Sequence, residues 1–408
     1  MNKQPNLERR LRRAELRGQL RAYLLIAPLF IFVALSFLLP LGSVLLNSFH
    51  DPVVPEGLPL TVSALEKWNG PRTQIPPEPV FEALAQDMKA AVASEKISPI
   101  ATRLNFEESG TRSIFMRAAR KVSTQESGPW QPFFENADPA WGQPKVWGII
   151  RNLSSENHTL FFLSALDFQR QSSGEISLQD EGQRIHVTVF MRTVGVALTV
   201  TLMCLLLGFP LAYLLAHMQD KQANMLLILV LLPFWTSLLV RTTAWMVMLQ
   251  KEGVVNSTLQ ALGLIAEPLA LVFNRFGVIV AMTHILLPFT ILPMYSVMRQ
   301  IPPSYVRAAR SLGAKPMTAF FRVYLPQCLP GISAGALLVF ILSLGYYITP
   351  ALVGGAADQM ISYFVADNIG RSLNWGLASA LSAILLGAVL LLYWVYDRLV
   401  GVGNVRLG

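Results

Sequence analysis

Long apolar runs, almost free of charged residues, recur along the chain. They cover residues 22–46, 193–216, 225–249, 276–298, 331–350 and 373–396. A helix needs about 20 consecutive apolar residues to cross a bilayer. The pattern therefore predicts an all-α integral membrane protein with six transmembrane helices and both termini on one side. The first run is longer than the apolar core of a cleaved signal peptide, about 7–15 residues, so we expect it to be retained.

Basic residues beside these runs predict the orientation of the helices. Cytoplasmic flanks of membrane helices carry an excess of Lys and Arg. Here Lys and Arg concentrate in the tail 1–21 and in the loop 299–327, whereas the short loops on the opposite side hold few. We therefore expect this loop and both tails, 1–21 and 401–408, to lie in the cytoplasm.

A long segment between the first two runs differs from the rest of the chain. Residues 50–186 are long enough to fold as a domain, and by topology they lie outside the membrane. We expect a mixed-structure insert domain here, followed by a membrane core at 187–400. Helical spacing of apolar residues predicts a helix over 78–96, and the apolar run 160–166 is interpreted as a strand. Half of the tryptophans fall in this segment, which favours an ordered core: Trp68, Trp130, Trp141 and Trp147.

Composition excludes several other functions. Hydrophobic residues make up 53% of the chain and charged residues only 14%, whereas a soluble protein carries about a quarter charged residues. The net charge of +8 comes from residues beside apolar runs, which does not favour nucleic-acid binding. Cys204 and Cys328 both lie in or beside runs and have no metal-ligand spacing. No Gly-Lys dipeptide occurs, so the chain has no P-loop, and we expect no enzyme activity, cofactor or metal.

The predicted cytoplasmic loop has an internal pattern. Its sequence from 302 to 332, PPSYVRAARSLGAKPMTAFFRVYLPQCLPGI, is typical of two short helices. Gly313 suits the end of the first helix and Pro316 the start of the second, while Pro326 and Pro330 are expected to end the loop. Such a first helix can dock in the groove of a partner or rest on lipid headgroups, and periodicity alone leaves both open. One apolar face recurs at i, i+3, i+4 and i+7: Tyr305, Ala308, Ala309 and Leu312.

The same loop resembles the cytoplasmic signature of the permease subunits of ABC importers, in particular the spermidine/putrescine type. That signature is Glu-Ala-Ala, three residues, Gly, nine residues, Ile, any residue, Leu-Pro. Arg307 stands in place of the signature Glu. The matching positions are Ala308, Ala309, Gly313, Val323, Leu325 and Pro326.

The resemblance extends over about 193–386 and includes three further segments. These are RTTAWMVMLQKEGVVNSTLQALG from 241, LGYYITPALVGG from 344 and NWGLASALS from 374. It implies the six-helix permease fold, although the large insert is not typical of the family. It also implies a site for coupling to an ATPase: Tyr305, Arg307, Ala308, Ala309, Leu312, Gly313, Ala314, Leu325 and Pro326.

The implied partners are a cytoplasmic ABC ATPase dimer, a second permease subunit, different or identical, and a periplasmic substrate-binding protein. The implied location is the bilayer of a bacterial inner membrane. ATP and Mg²⁺ would bind to the ATPase, and the permease itself would carry out no chemistry. An ion-gradient-driven secondary transporter and a membrane sensor with an outer ligand domain are the alternative functions.

Four residues are expected along the substrate pathway: Arg241, Trp245, Tyr346 and Tyr347. Polyamine permeases often have Gly-Asp-Phe where this chain has Gly345 followed by the two tyrosines. The missing acidic residue weakens the polyamine assignment specifically, and the resemblance implies a polyamine or a related amine or amino-acid-like solute. Counting about 1.5 Å per residue from Met225 places Arg241 roughly 24 Å into a straight span, where the alternative is snorkelling to headgroups. His284 is expected to form a hydrogen bond between helices.

Overall fold

The computed structural model describes residues 23–68 and 70–400, with side chains through 398. The predicted tails 1–21 and 401–408 lie outside the described residues. The chain divides between Phe161 and Phe162 into two compact units. The first unit contains the first span and the helical part of the insert, and the second contains the remaining membrane helices.

The first unit begins with a single long apolar helix. This first span covers Tyr23–Asn47 and contains one π-helical turn at Ala34–Leu38. Its side chains, such as Leu25 and Phe30, are exposed, as expected for residues that face lipid. The insert then folds into helices at Val53–Gly57, Pro59–Lys67, Glu78–Ala93, Ile97–Glu107, Thr111–Val122, Trp130–Ala137 and Pro144–Asn152, with a 3₁₀ turn at Pro139–Gly142.

Aromatic side chains fill the core of the insert. Trp141 is fully buried, and its ring lies 5.1 Å from Phe115, 5.0 Å from Phe134 and 5.6 Å from Trp147 between centroids. Phe81 packs edge-on against Trp147 at 4.6 Å. Such pairs add about 0.5–1.5 kcal/mol each to the burial of their area. The cluster explains why a Pro-rich segment of short helices folds as a unit.

The two ends of the helical part of the insert are hydrogen-bonded to each other. The amide of Asp51 donates to the carbonyl of Glu156 at 2.7 Å, and the amide of His158 donates to the carbonyl of Phe49 at 3.0 Å. The Asp51 carboxylate is buried and is bonded by the guanidinium of Arg103 and by His158. Burial by itself raises the pKa of Asp51, but the hydrogen bond with His158 and the charge of Arg103 lower that pKa to about 2.

Two local predictions for the insert have different outcomes. The helix predicted over 78–96 is confirmed as Glu78–Ala93. The strand predicted over 160–166 is wrong, because Leu160–Ala165 is a helix. A short apolar run fits either element, and period alone does not separate them. The β structure of the described residues is a small antiparallel hairpin of Phe168–Arg170 and Ile176–Leu178, which belongs to the second unit.

The second unit contains the other five apolar spans. Short helices at Ile348–Val353 and Ile361–Gly370 connect the last two of them. With the first span this gives the six transmembrane helices predicted from the sequence. The second to sixth spans are His186–His217, the bent pair Asp220–Trp235 plus Leu238–Ala261, Arg275–Gln300, Pro316–Gly345 and Trp375–Arg398.

The second, fourth and fifth spans form the centre of this unit. Gly331 and Gly335 lie one turn apart on the fifth span and face the fourth. A Cβ atom added at Gly335 would lie 3.0 Å from the carbonyl oxygen of Thr290, and one at Gly331 would lie 2.9 Å from the Cβ of Val297. Small residues at this spacing let two membrane helices approach closely. The glycines therefore fix the distance between the fourth and fifth spans.

The third span departs from the straight helix predicted over 225–249. Its two helices meet at an angle of 97° after a 3₁₀ turn that contains Pro233. Thr236 and Ser237 leave the helical conformation, and the Ser237 hydroxyl accepts from the amide of Val240 to begin the second helix. The depth of 24 Å estimated for Arg241 therefore does not apply, because the estimate assumed a continuous helix.

Two prolines in the loop region also behave differently from the prediction. Pro326 and Pro330 were expected to end the cytoplasmic loop, but both lie within the fifth span. A π-helical turn at Phe320–Tyr324 precedes Pro326, which stands at the first turn of the helix that follows.

Candidate functional site

The loop between the fourth and fifth spans presents one isolated helix. This loop helix covers Pro303–Ser311, and none of its residues is buried. Gly313 follows with φ of +90°, its amide donates to the carbonyl of Arg310, and the amide of Ala314 donates to the carbonyl of Ala309. The left-handed glycine with these two bonds is the cap predicted from the sequence. The helix therefore ends sharply, and Val306 packs against the start of the fifth span while most of the helix surface remains exposed.

The loop helix has two distinct faces. Tyr305 is 52% exposed and Leu312, just after the helix, is 89% exposed. Ala308 and Ala309 lie between them at helical spacing, so the four residues make one small apolar face. Arg307 and Arg310 lie on the other side of the helix, with Val306 and Pro303.

A cavity of about 350 Å³ lies against the arginine side of the loop helix. Arg307 and Arg310 line one part of it. The opposite wall consists of aromatic side chains from the ends of the second and fifth spans: Tyr213, His217, Phe320 and Tyr324. The four rings pack on one another with centroids 4.2–6.0 Å apart. Sequence reasoning missed this cavity, because the Tyr213 and His217 part of its wall lies more than 80 residues from the loop in sequence.

The beginning of the loop is anchored to the connection between the second and third spans. Arg299 donates to the carbonyl of Ala216 at 3.1 Å and forms an ion pair with Asp220. Leu325 and Pro326, predicted as part of the coupling site, lie at the start of the long helix of the fifth span. The loop helix and the fifth span are connected by only a few residues.

The predicted pathway residues meet near the break in the third span. Arg241 lies in the first turn of the helix that follows the break, and its Nη2 donates to the carbonyl of Thr236 at 3.2 Å. Its Nε is buried without a hydrogen-bond partner among the described residues. No carboxylate of the described residues forms an ion pair with it. The positive end of the helix dipole lies at the same place, so this region attracts anions.

Trp245 and Tyr346 lie near this charge. The Nε1 of Trp245 donates to Nδ1 of His284 at 3.1 Å, which joins the third and fourth spans as expected for His284. Arg241 is close enough to interact electrostatically with both His284 and Tyr346. Tyr347, by contrast, is 41% exposed, and no hydrogen bond joins its side chain to the described residues of this group. The structure thus brings three of the four predicted pathway residues together and adds His284.

A second link holds the same region together. The hydroxyls of Thr242 and Thr349 lie 3.2 Å apart and join the third span to the segment after the fifth. Among the described residues, no group of three His, Cys, Asp or Glu side chains is placed to hold a metal ion. The polar groups of this region thus join the third span to the fourth span and to the segment after the fifth.

Comparison with known proteins gives one family and several relatives. Residues 205–402 match the family model described as the inner membrane component of binding-protein-dependent transport systems. The chain is 35% identical over 218 residues to the spermidine/putrescine transport system permease protein PotB of Salmonella typhimurium, which covers 53% of this chain and 76% of that protein. PotB of Escherichia coli K12 is also 35% identical, with 53% of this chain and 79% of that protein covered.

A solved structure is matched in part, at low sequence identity. It is a bacterial alginate ABC transporter in complex with an alginate pentasaccharide-bound periplasmic protein. The sequence identity is 17% and the TM-score is 0.43, with 53% of this chain and 78% of that chain covered.

Proposed function

The chain belongs to the family of inner-membrane components of binding-protein-dependent transport systems, and from this premise we propose how it acts and what it carries. It is the membrane-spanning permease subunit of an ABC importer. The secondary transporter and the sensor considered from the sequence are set aside by this membership. The observation that carries the proposal is the exposed loop helix with its signature alanines and capped end.

The loop helix is the contact for a cytoplasmic ABC ATPase dimer. Ala308 and Ala309 permit close backbone approach, and Tyr305 and Leu312 are exposed apolar side chains that need a partner. The ATPase binds ATP and Mg²⁺, and closure of its dimer moves the loop helix. Because the loop helix contacts the first turns of the fifth span, and Arg299 ties the preceding residues to the end of the second span, that motion reaches the membrane spans.

The complex has further partners. A second permease subunit, identical or different, completes the pathway, and a periplasmic binding protein delivers the solute to the outer face. Both tails and the loop helix face the cytoplasm, supported by the excess of Lys and Arg on that side. The insert, whose helical part is closed by hydrogen bonds between its two ends, lies outside the membrane and contacts the binding protein.

The cargo is a small amine, either a polyamine or an amino-acid-like compound. The relatives named as spermidine/putrescine permeases support an amine. Tyr346 and Trp245 offer aromatic faces, which attract ammonium groups. Arg241 is the charged residue of this region, and no carboxylate of the described residues forms an ion pair with it. A solute with both an amine and a carboxylate therefore fits this region better than a bare polyamine.

A matched pair of solutes tests the cargo. Putrescine and 4-aminobutanoate each have four carbons, but the second has a carboxylate in place of one terminal aminomethyl group. We expect cells that express the complete importer to take up 4-aminobutanoate at least as well as putrescine, and Arg241→Gln to reduce its uptake selectively. Uptake of putrescine alone, unaffected by Arg241→Gln, would contradict the role of Arg241. Uptake of neither compound would contradict the assignment of an amine cargo.

A further inference from the structure

The cavity beside the loop helix has the features of a ligand-binding site, and the coupling mechanism does not use it. Its aromatic wall is provided by Tyr213, His217, Phe320 and Tyr324, and its charged edge by Arg307 and Arg310. The side chain of Tyr324 is only 4% exposed, yet its hydroxyl has no hydrogen-bond partner among the described residues. A buried polar group without a partner costs about 1–3 kcal/mol, so a ligand that accepts its hydrogen is favoured.

The charge of the cavity selects an anion. Neither Arg307 nor Arg310 forms an ion pair with a described carboxylate, and none of the residues that line the cavity is acidic. Two guanidinium groups three residues apart on one helix point toward the same side. Arginine binds phosphate oxygens through pairs of parallel N–H groups. A phosphate oxygen could also accept from the hydroxyl of Tyr324.

The position of the cavity at the ends of membrane helices favours a lipid headgroup as the source of that anion. Tyr213 stands in the last turns of the second span, and Tyr324 stands near the start of the fifth, so the cavity lies at the ends of membrane helices. Leu214, Met317 and Phe321 are 50%, 68% and 55% exposed beside it, and they provide an apolar surface for acyl chains. Basic pockets between the ends of membrane helices are where anionic headgroups bind.

We propose that this cavity binds the phosphate of an anionic phospholipid, with Arg307 and Arg310 as its charge partners and Tyr324 as a hydrogen-bond donor. The bound lipid lies between the loop helix and the ends of the second and fifth spans. It leaves the opposite face, with Ala308 and Ala309, free for the ATPase. Arg307, which replaces an acidic signature residue, thus has a partner on the membrane side. This assignment does not depend on which solute is transported.

An acidic side chain of the ATPase is the competing partner for the two arginines. The helix geometry favours the lipid, because Arg307 and Arg310 lie on the side opposite the small apolar face. The aromatic wall also belongs to membrane spans rather than to the loop. The two partners predict different results when the arginines are replaced.

Native mass spectrometry of the complete importer, purified from nanodiscs, measures the bound lipid directly. The nanodiscs contain equal amounts of phosphatidylglycerol and phosphatidylcholine. We expect the wild-type complex to retain phosphatidylglycerol selectively. In the double variant Arg307→Gln/Arg310→Gln, we expect the preference for phosphatidylglycerol over phosphatidylcholine to fall by about 30-fold. This follows from about 1 kcal/mol for each cation removed and about tenfold in affinity per 1.4 kcal/mol. Replacement of both arginines by Lys should preserve most of the preference.

The matched control is Lys315→Gln/Arg322→Gln, which removes the same charge from the same loop at two exposed residues that do not line the cavity. We expect this variant to retain phosphatidylglycerol like the wild type. Equal loss in both double variants would overturn the proposal, because it would indicate general surface charge. Loss of the ATPase from Arg307→Gln/Arg310→Gln, with lipid retention unchanged, would assign the arginines to the ATPase instead. Displacement of the lipid preference by millimolar inorganic phosphate would identify free phosphate as the ligand and overturn the lipid assignment.

Discussion

Replacement of Gly313 tests whether the capped end of the loop helix sets the coupling geometry. Gly313 has φ of +90°, and nothing lies within 4 Å of the position that a Cβ would occupy there. A side chain at this position therefore meets no neighbour, and its whole cost is backbone strain. This makes Gly313 a clean perturbation of the direction in which the chain leaves the loop helix.

The strain gives the size of the expected effect. An L-residue in the left-handed region costs about 1–2 kcal/mol, and a β-branched residue lies at the upper end. At 1.4 kcal/mol for each factor of ten, Gly313→Ala should reduce the population of the observed loop geometry by about 5-fold and Gly313→Val by about 30-fold. Gly313→Asn should have little effect, because Asn tolerates this conformation.

The assay compares three readouts on the same complex: assembly with the ATPase, ATP hydrolysis stimulated by the loaded binding protein, and uptake. We expect uptake to fall in the order Asn, Ala, Val while assembly remains. Gly387→Ala is the matched control, because Gly387 also has open space around its Cβ position but lies within the sixth span without a positive φ. Wild-type uptake by Gly313→Val, with normal assembly, would refute the role of the cap.

Three further predictions concern packing and the insert. Gly335→Val should separate the fourth and fifth spans, because its Cβ would lie 3.0 Å from the Thr290 carbonyl, and we expect a lower melting temperature than for Gly387→Val. Trp141→Ala should destabilise the insert by about 3–5 kcal/mol, measured by thermal unfolding of the purified complex. Since the folded pKa of Asp51 is about 2, its carboxylate stabilises the insert by about 2–3 kcal/mol above pH 4, and this is lost as pH falls from 4 to 2. Asp51→Asn should remove that dependence, and an unchanged acid unfolding profile in this variant would contradict the assigned role.

Apolar runs were sufficient to predict the membrane spans. Six runs predicted six spans, and Gly313 predicted the end of the loop helix, whereas the helix predicted to begin at Pro316 is the start of the fifth span rather than a separate short helix. The features predicted correctly are local, because each depends on one continuous stretch of sequence. The same is true of the helix at Glu78–Ala93.

Features that depend on contacts distant in sequence could not be predicted in the same way. Pro233 does not by itself indicate a 97° bend, since prolines also lie inside the fourth and fifth spans without breaking them. The spacing of Gly331 and Gly335 was a signal for close packing that sequence reasoning did not use. The proximity of Arg241 to Tyr346 requires the tertiary structure, because more than a hundred residues separate them.

Uptake into proteoliposomes is the most direct test of the central claim that this chain is the membrane subunit of an ATP-driven importer. The complex is reconstituted with its ATPase, and the loaded binding protein is added outside. The account predicts uptake that requires both the binding protein outside and ATP on the side of the loop helix, and that persists when ion gradients are dissipated. Uptake that proceeds without ATP and stops when the gradients are removed would contradict it.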